Sequence, residues 1–395
     1  MIYTEFQGDR LSMLGFGAMR LPTLPDGSID IPATEKMVDY AMAHGVNYYD
    51  TAMPYHGGLS EVVMGKLLSK YPRDSYRIAD KYPGHQKFSV YEPAVTFEQQ
   101  LKKCGVEYFD YYLLHNVSEA SLATYTDPRW GIIDYFVEQK RLGRIRHLGF
   151  STHGRVEMLE QFLARYGEYM EFCQIQLNYL DWTLQDAKTK CEILNRYHIP
   201  VWVMEPVRGG KLANLDEAAS AHLKTLRPDE SVAAWGFRFL QGIPNVKMIL
   251  SGMTNMDHVT DNIRTFEELK PLSEAELQTV FDIAESMKNT VPCTACRYCC
   301  DGCPKGLDIP TLIAILNDLR FAPSTNTAMM LEFAPEEQKP TACIGCGKCT
   351  HICPQGIDVP GALAELSERL KTVPSWAAIS KVREEEQKRV MESMK

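Results

Sequence analysis

The chain has no excess of positive charge, no apolar run of membrane-spanning length and almost no cysteine outside one segment. Lysine and arginine number 42 against 51 aspartate and glutamate, so the formal net charge is −9. With that balance and no basic stripe, nucleic-acid binding is excluded as the expected function. No apolar stretch reaches the roughly 20 residues a membrane helix needs. The opening Met1-Ile-Tyr-Thr-Glu-Phe-Gln-Gly-Asp-Arg10 lacks a basic region followed by an apolar core, so no secretory signal is expected. These absences point to a cytosolic protein with reduced thiols, where disulfides explain cysteines poorly.

A G-x-G-x-x-G fingerprint is also missing: Gly15-Phe16-Gly17 runs on as Ala18-Met19-Arg20. An open, doubly wound dinucleotide-binding sheet loses its main support without it. No flavin signature is present either.

What is present is a repeating alternation. Strand candidates are Ser12–Gly17, Asn47–Asp50, Arg77–Lys81, Tyr108–His115, Arg146–Ser151, Glu171–Asn178, Pro200–Glu205 and Lys247–Ser251. Helical periodicity separates them over Ala33–His44, Leu59–Lys70, Pro93–Cys104, Gly131–Arg141, Arg155–Tyr166, Leu184–Tyr197, Ser231–Gln241 and Met256–Phe266. Alternating strands and helices imply parallel pairing with right-handed crossovers. Eight such units are the number that closes a (β/α)8 TIM barrel. The first residues, Ile2–Leu14, read as a hairpin around Gly8-Asp9 that closes the barrel bottom. Another helix, Ser273–Met287, follows the eighth unit.

Near Asn289 the composition changes. Of 12 cysteines, nine lie between Cys293 and Cys353, leaving Cys104, Cys173 and Cys191 elsewhere. Two segments align at an offset of 50 residues: Cys293-x2-Cys296-x2-Cys299-x3-Cys303-Pro304 and Cys343-x2-Cys346-x2-Cys349-x3-Cys353-Pro354. The match extends through Gly306-Leu-Asp308-Ile-Pro310 and Gly356-Ile-Asp358-Val-Pro360. Three cysteines at this spacing grip three irons of one cube, and the fourth, before proline, ligates the other cube. Two [4Fe-4S] clusters are therefore expected, one on Cys293, Cys296, Cys299 and Cys353, the other on Cys343, Cys346, Cys349 and Cys303. Zinc sites usually show two ligand pairs with a longer gap. Cys300 is surplus and reads as filler, since the second repeat has Thr350 there. The long linker resembles that of α-helical ferredoxin modules attached to redox enzymes. The expected domains are 1–288, a barrel; 289–373, a small and mainly helical ferredoxin-like domain; and 374–395, a charged helical tail.

Ionisable groups stand at the ends of neighbouring strands: Asp50, Lys81 and His115, with Tyr55 in the loop after Asp50. A tyrosine hydroxyl is a proton carrier at neutral pH. A nearby ammonium is expected to lower its pKa and make Tyr55 a usable general acid. Lys81 would supply that charge, Asp50 would hold Lys81, and His115 would orient a carbonyl oxygen. The set suits carbonyl reduction.

With these residues in view, the sequence resembles the aldo/keto reductase superfamily over roughly residues 5–270. The resemblance rests on Gly15-Phe-Gly17-Ala-Met19, Gly45 through Asp50-Thr-Ala-Met-Pro-Tyr55, Ser60-Glu61 with Gly65, Asp110 through His115, Gly143 through Gly149-Phe-Ser151, and Glu205-Pro206 through Gly210-Lys-Leu212. It implies a catalytic tetrad of Asp50, Tyr55, Lys81 and His115, and reduction of aldehydes and ketones by NADPH held over the barrel mouth. Ser151 and Gln174 would bind the nicotinamide amide, and Met204 would replace the stacking tyrosine. Pro206 and Leu212 belong to the loop after the seventh strand. After the eighth, Ser251, Gly252, Met253, His258, Asp261 and Asn262 would meet the cofactor. Gly252 and His258 stand where the family commonly offers cations, which makes NADH a credible alternative to NADPH.

Hydride carries two electrons, whereas iron–sulfur cubes pass one. Three readings follow. The barrel is a nicotinamide-dependent reductase of a small-molecule carbonyl, with the cluster module as an electron port or a structural or regulatory element. Or the module reduces a substrate bound in the barrel. Or the chain is a ferredoxin-type electron-transfer protein serving a redox protein partner, without nicotinamide-dependent catalysis. The first is the reading adopted. The loops that would build the pocket carry no substrate signature; Trp130, Tyr82, Phe88 and Tyr55 are candidates for an apolar wall.

Overall fold

The computed structural model describes residues 1–86, 88–287, 291, 293, 297–321, 325–353, 355–382 and 385. Two compact units are present, Met1–Phe281 and Asp282–Val382.

The first unit begins with a hairpin of β1 (Tyr3–Phe6) and β2 (Asp9–Ser12). Its turn is Gln7-Gly8, at φ 47° and 92°, one residue earlier than expected. Two consecutive positive φ values make the primed turn that matches strand twist. Eight strands then close a parallel barrel: β3 (Leu14–Gly17), β4 (Tyr48–Asp50), β5 (Arg77–Tyr82), β6 (Phe109–Leu114), β7 (Ile145–Thr152), β8 (Cys173–Gln176), β9 (Val201–Met204) and β10 (Val246–Ser251). Each pairs with its sequence neighbour, and β10 returns to β3. The doubly wound alternative is thereby overturned.

The barrel interior is packed, not hollow. Phe6 and Leu11 of the hairpin join Tyr48, Ala79, Tyr111, Leu113, Phe172, Trp202, Met248 and Leu250 in one buried cluster. Gly15 is required by this crowding: a Cβ there would lie 2.6 Å from Leu250 and 2.7 Å from Met248. Side chains alternate along a strand. Two residues beyond these inward positions stand Asp50 after Tyr48, Lys81 after Ala79, His115 after Leu113, Gln174 after Phe172 and Met204 after Trp202. Period-two geometry thus carries the core's inward face up to the mouth.

Two helical expectations need correction. Leu184–Tyr197 is two helices, Asp181–Leu184 and Ala187–Arg196, broken where Asp186 takes φ 50°. A helix at Glu217–Leu226 was not anticipated; Leu223 is its only buried residue, so its apolar stripe is too thin to read.

In the second unit the two repeats share one core. Leu307, Ile309, Leu312, Ile313, Leu316 and Leu319 of the first pack with Ile357, Val359, Leu363 and Leu366 of the second. The helices Ile309–Phe321 and Val359–Thr372 carry them. Equivalent turns match in conformation: Gly306 and Gly356 have φ 60° and 63°, Arg297 and Gly347 φ 68° and 71°. In the expected tail, residues 376–382 are helical. Beyond residue 382 only Glu385 is described; the other tail residues lie outside the described residues, as do Cys296 and the expected boundary at Asn289. Among the described residues no helix is long and apolar enough to cross a membrane.

Candidate active site

Lys81 is wholly buried at the end of β5. Its Nζ donates to Asp50 Oδ1 at 2.6 Å and to the Thr51 carbonyl at 2.7 Å. Burial opposes the ammonium, but the Asp50 carboxylate, Tyr55 and the hydrogen bond to Asp50 outweigh it, so the Lys81 pKa is raised. Burial pushes Asp50 up, and Lys81 offsets only part of that. Lysine starts with a proton affinity some six units above aspartate, so the pair shares its proton as ammonium and carboxylate.

Tyr55 opens a short turn, Tyr55–Gly58, directly over this pair. Lys81 Nζ lies 4.9 Å from the centre of its ring. The His115 ring stands edge-on to Tyr55 at 6.0 Å. Three strands and one loop therefore bring all four residues together. One expectation fails: the Tyr55 pKa is raised, not lowered. Burial penalises the phenolate more than the charge and hydrogen bond of Lys81 restore.

The remaining mouth is polar at its floor. Ser151 Oγ accepts from the Asn116 backbone N–H at 2.8 Å. Gln174 is 3% exposed, and its Oε1 is buried without a hydrogen-bond partner among the described residues. A buried acceptor left open costs about 1–3 kcal/mol unless a ligand satisfies it. Met204 is half-buried, while Pro206, Leu212, Ser251 and Met253 are buried and Gly252 is exposed. Asn262 Nδ2 donates to Ser251 Oγ at 2.9 Å. Asp261 is engaged by Ser231 and Arg264 at 2.5 and 2.8 Å. His258 Nδ1 meets Thr254 Oγ1 at 3.1 Å.

Two residues escaped the sequence reading. Arg20 lays its aliphatic stem over Gly252, 3.2 Å from where a Cβ would stand, and its Nη2 contacts Glu205 Oε1 at 3.3 Å. A cation thus reaches this region from the loop after β3, not from the loop after β10. His85 packs against His115 with ring centres 4.4 Å apart. The expected aromatic wall breaks up: Tyr82 is 1% exposed and packs on Tyr125 and Phe136, whereas Trp130 and Phe88 meet through Tyr91.

In the second unit, one cavity is lined by Cys303, Cys343, Cys346 and Cys349. Another is lined by Cys293, Cys299 and Cys353. The cysteine before each proline therefore faces the other repeat's cavity. Among the described residues no three His, Cys, Asp or Glu side chains converge as a single-ion site.

A family model for the aldo/keto reductase family matches residues 13–285, and one for a 4Fe-4S dicluster domain matches residues 292–357. L-galactose dehydrogenase of Arabidopsis thaliana is 26% identical, covering 71% of this chain and 93% of its own length. Among solved structures, a holo-form aldo-keto reductase from Bacillus halodurans has TM-score 0.57 and 24% identity, over 72% of this chain and 96% of that one. An aldo/keto reductase from Klebsiella pneumoniae, in complex with NADP and acetate, has TM-score 0.58 and 19% identity, over 70% and 93%.

Proposed function

The chain belongs to the aldo/keto reductase family, and on that premise we propose that it reduces an aldehyde or ketone with hydride from NADPH or NADH. The observation that carries this reading is the Lys81 ammonium, locked by Asp50 beneath the Tyr55 ring.

Bound nicotinamide would supply the hydride to the carbonyl carbon. Tyr55 supplies the proton to the oxygen. Its raised pKa keeps the phenol protonated at neutral pH, and the alkoxide that develops is a far stronger base than a phenolate. Lys81 stabilises the phenolate left behind; a fixed charge in a dry site needs no reorganisation. Asp50 and the Thr51 carbonyl keep that charge in place. His115 donates to the carbonyl oxygen and orients it. Gln174 Oε1, open and buried, is suited to accept from the carboxamide of the nicotinamide, and Ser151 to donate to it.

Cys293, Cys296, Cys299 and Cys353 would hold one [4Fe-4S] cluster, and Cys303, Cys343, Cys346 and Cys349 the other. Such clusters store single electrons. Anaerobically purified protein is expected to be brown, with about eight irons per chain.

The test is oxidation of NADPH or NADH by a panel of aldehydes and ketones. Tyr55→Phe should remove about 10²–10⁴ of the rate, the usual worth of a positioned general acid. A variant as active as its parent overturns the proposal.

A further inference from the structure

We propose that the rim of the cavity lined by Cys303, Cys343, Cys346 and Cys349 is the docking face for a small acidic one-electron carrier protein. Lys305 and Lys348 are its charged anchors and Ile344 its apolar centre. The inference rests on the cluster assignment above and adds to it a direction of entry and a class of partner.

All three residues line that cavity. Ile344 is 60% exposed, although the chain buries most of its large aliphatic side chains. Cys346 is itself exposed, so a cluster held there would reach the surface. Lys305 and Lys348 are exposed, and neither enters an ion pair among the described residues. On the other cavity Arg297 does, contacting Asp308 at 3.2 Å.

The internal repeat supplies a control. At the offset of 50 residues Lys305 corresponds to Gln355, and Lys348 to Tyr298. The turns at Gly306 and Gly356 are the same. The fold that holds a cluster therefore does not require the two lysines; they occur on one rim only.

They also run against the charge of the whole molecule, which is −9. An acidic partner is repelled by most of such a surface and attracted at this rim, which steers it to one place. An apolar centre inside a charged rim is the usual build of a transient interface. The step itself is simple. A cluster held by Cys303, Cys343, Cys346 and Cys349 would take up the one electron that the reduced carrier gives up, with no bond made and no proton moved.

The test uses full-length, cluster-loaded protein under anaerobic conditions. Two acidic probes, a plant-type [2Fe-2S] ferredoxin and a flavodoxin, are titrated in their oxidised states. Binding of at least one is expected at an ionic strength of about 0.01 M. It should be lost near 1 M, where the screening length falls from about 30 to about 3 Å. Basic cytochrome c, drawn to the acidic remainder of the surface, should bind no more weakly to the lysine variants than to the parent. A Lys305→Gln, Lys348→Gln double variant should weaken binding about tenfold, with iron, sulfide and reduction by dithionite unchanged. Lys305→Glu with Lys348→Glu should weaken it further; if that pair fails to load iron, the glutamine pair decides. Binding of neither probe, or equal binding by parent and glutamine variant, overturns the proposal. Protein without iron and sulfide overturns the cluster reading beneath it, a failure that metal analysis alone detects.

Discussion

Lys81 has no contact with bulk water, so its charge is tolerable only because Asp50 answers it at 2.6 Å. Removing one partner of such a pair leaves the other buried and unpaired, a loss of about 3–5 kcal/mol. Lys81→Met should therefore unfold at markedly lower denaturant than the parent. Adding Asp50→Asn to it should recover part of that loss while activity stays absent. That separates stability from catalysis in one pair of chemical denaturation curves. Arg20 makes a second prediction. It is the cation beside Gly252, and a charged hydrogen bond contributes about 1.5–3 kcal/mol. Arg20→Ala is expected to raise the KM for NADPH roughly 10–100-fold, and that for NADH less, in steady-state assays. The tetrad could be read from sequence because each member ends a strand or follows one. Arg20 could not. Its significance arises from Gly252 and Glu205, more than 180 residues away, and no local pattern encodes that meeting. The direction of the Tyr55 shift was equally hidden, because burial is a property of the assembled mouth.

At the scale of elements, the hairpin β1–β2 is held to the barrel by charge as well as by Phe6. Asp9 accepts from Arg77 at 2.8 Å and from the Tyr111 hydroxyl at 3.0 Å, and lies 3.6 Å from His147. Glu171 takes the other side of that imidazole at 3.4 Å. Burial opposes each charge, yet the partners win: His147 is raised above 6.5, while Asp9 and Glu171 are lowered from 3.8 and 4.5. The signs define a window. A raised histidine stabilises fully below its unfolded pKa and loses that contribution as pH climbs through the folded value. Lowered carboxylates stabilise above their unfolded pKa and lose it as pH falls. The melting temperature should therefore peak between about 4.5 and 6.5. His147→Gln should flatten the alkaline side, and Asp9→Asn should weaken the acid side. Strand order was legible because alternation alone fixes parallel neighbours. Element ends were not: β8 spans only Cys173–Gln176, since pairing with β7 and β9, not apolar content, sets its length.

The whole molecule joins two architectures that were legible to different depths. The barrel needed eight weak periodic signals to agree. The second unit announced itself through a repeat, and the repeat also specified its crossing. Cys303 stands in the first segment yet lines the cavity of the second, with Cys343, Cys346 and Cys349. Each cavity thus borrows one wall from the other half, and the two halves share a core that includes Leu316, Leu319, Leu363 and Leu366. Cys303→Ala should consequently strip the site built on the second repeat and leave the site on its own repeat with its four cysteines. Iron should fall from about eight to about four or fewer per chain. Cys300→Ala is the matched control. Its counterpart Thr350 accepts from the Val359 N–H at 3.2 Å, a local structural contact, and Cys300 packs against the core; iron content should not change. NADPH-dependent reduction should survive both substitutions, because Asp50, Tyr55, Lys81 and His115 all lie within Met1–Phe281. A Cys303→Ala, Cys346→Ala protein should still hold about four irons, because both cysteines serve one cluster; loss of nearly all iron from that pair would mean each repeat closes its own cluster.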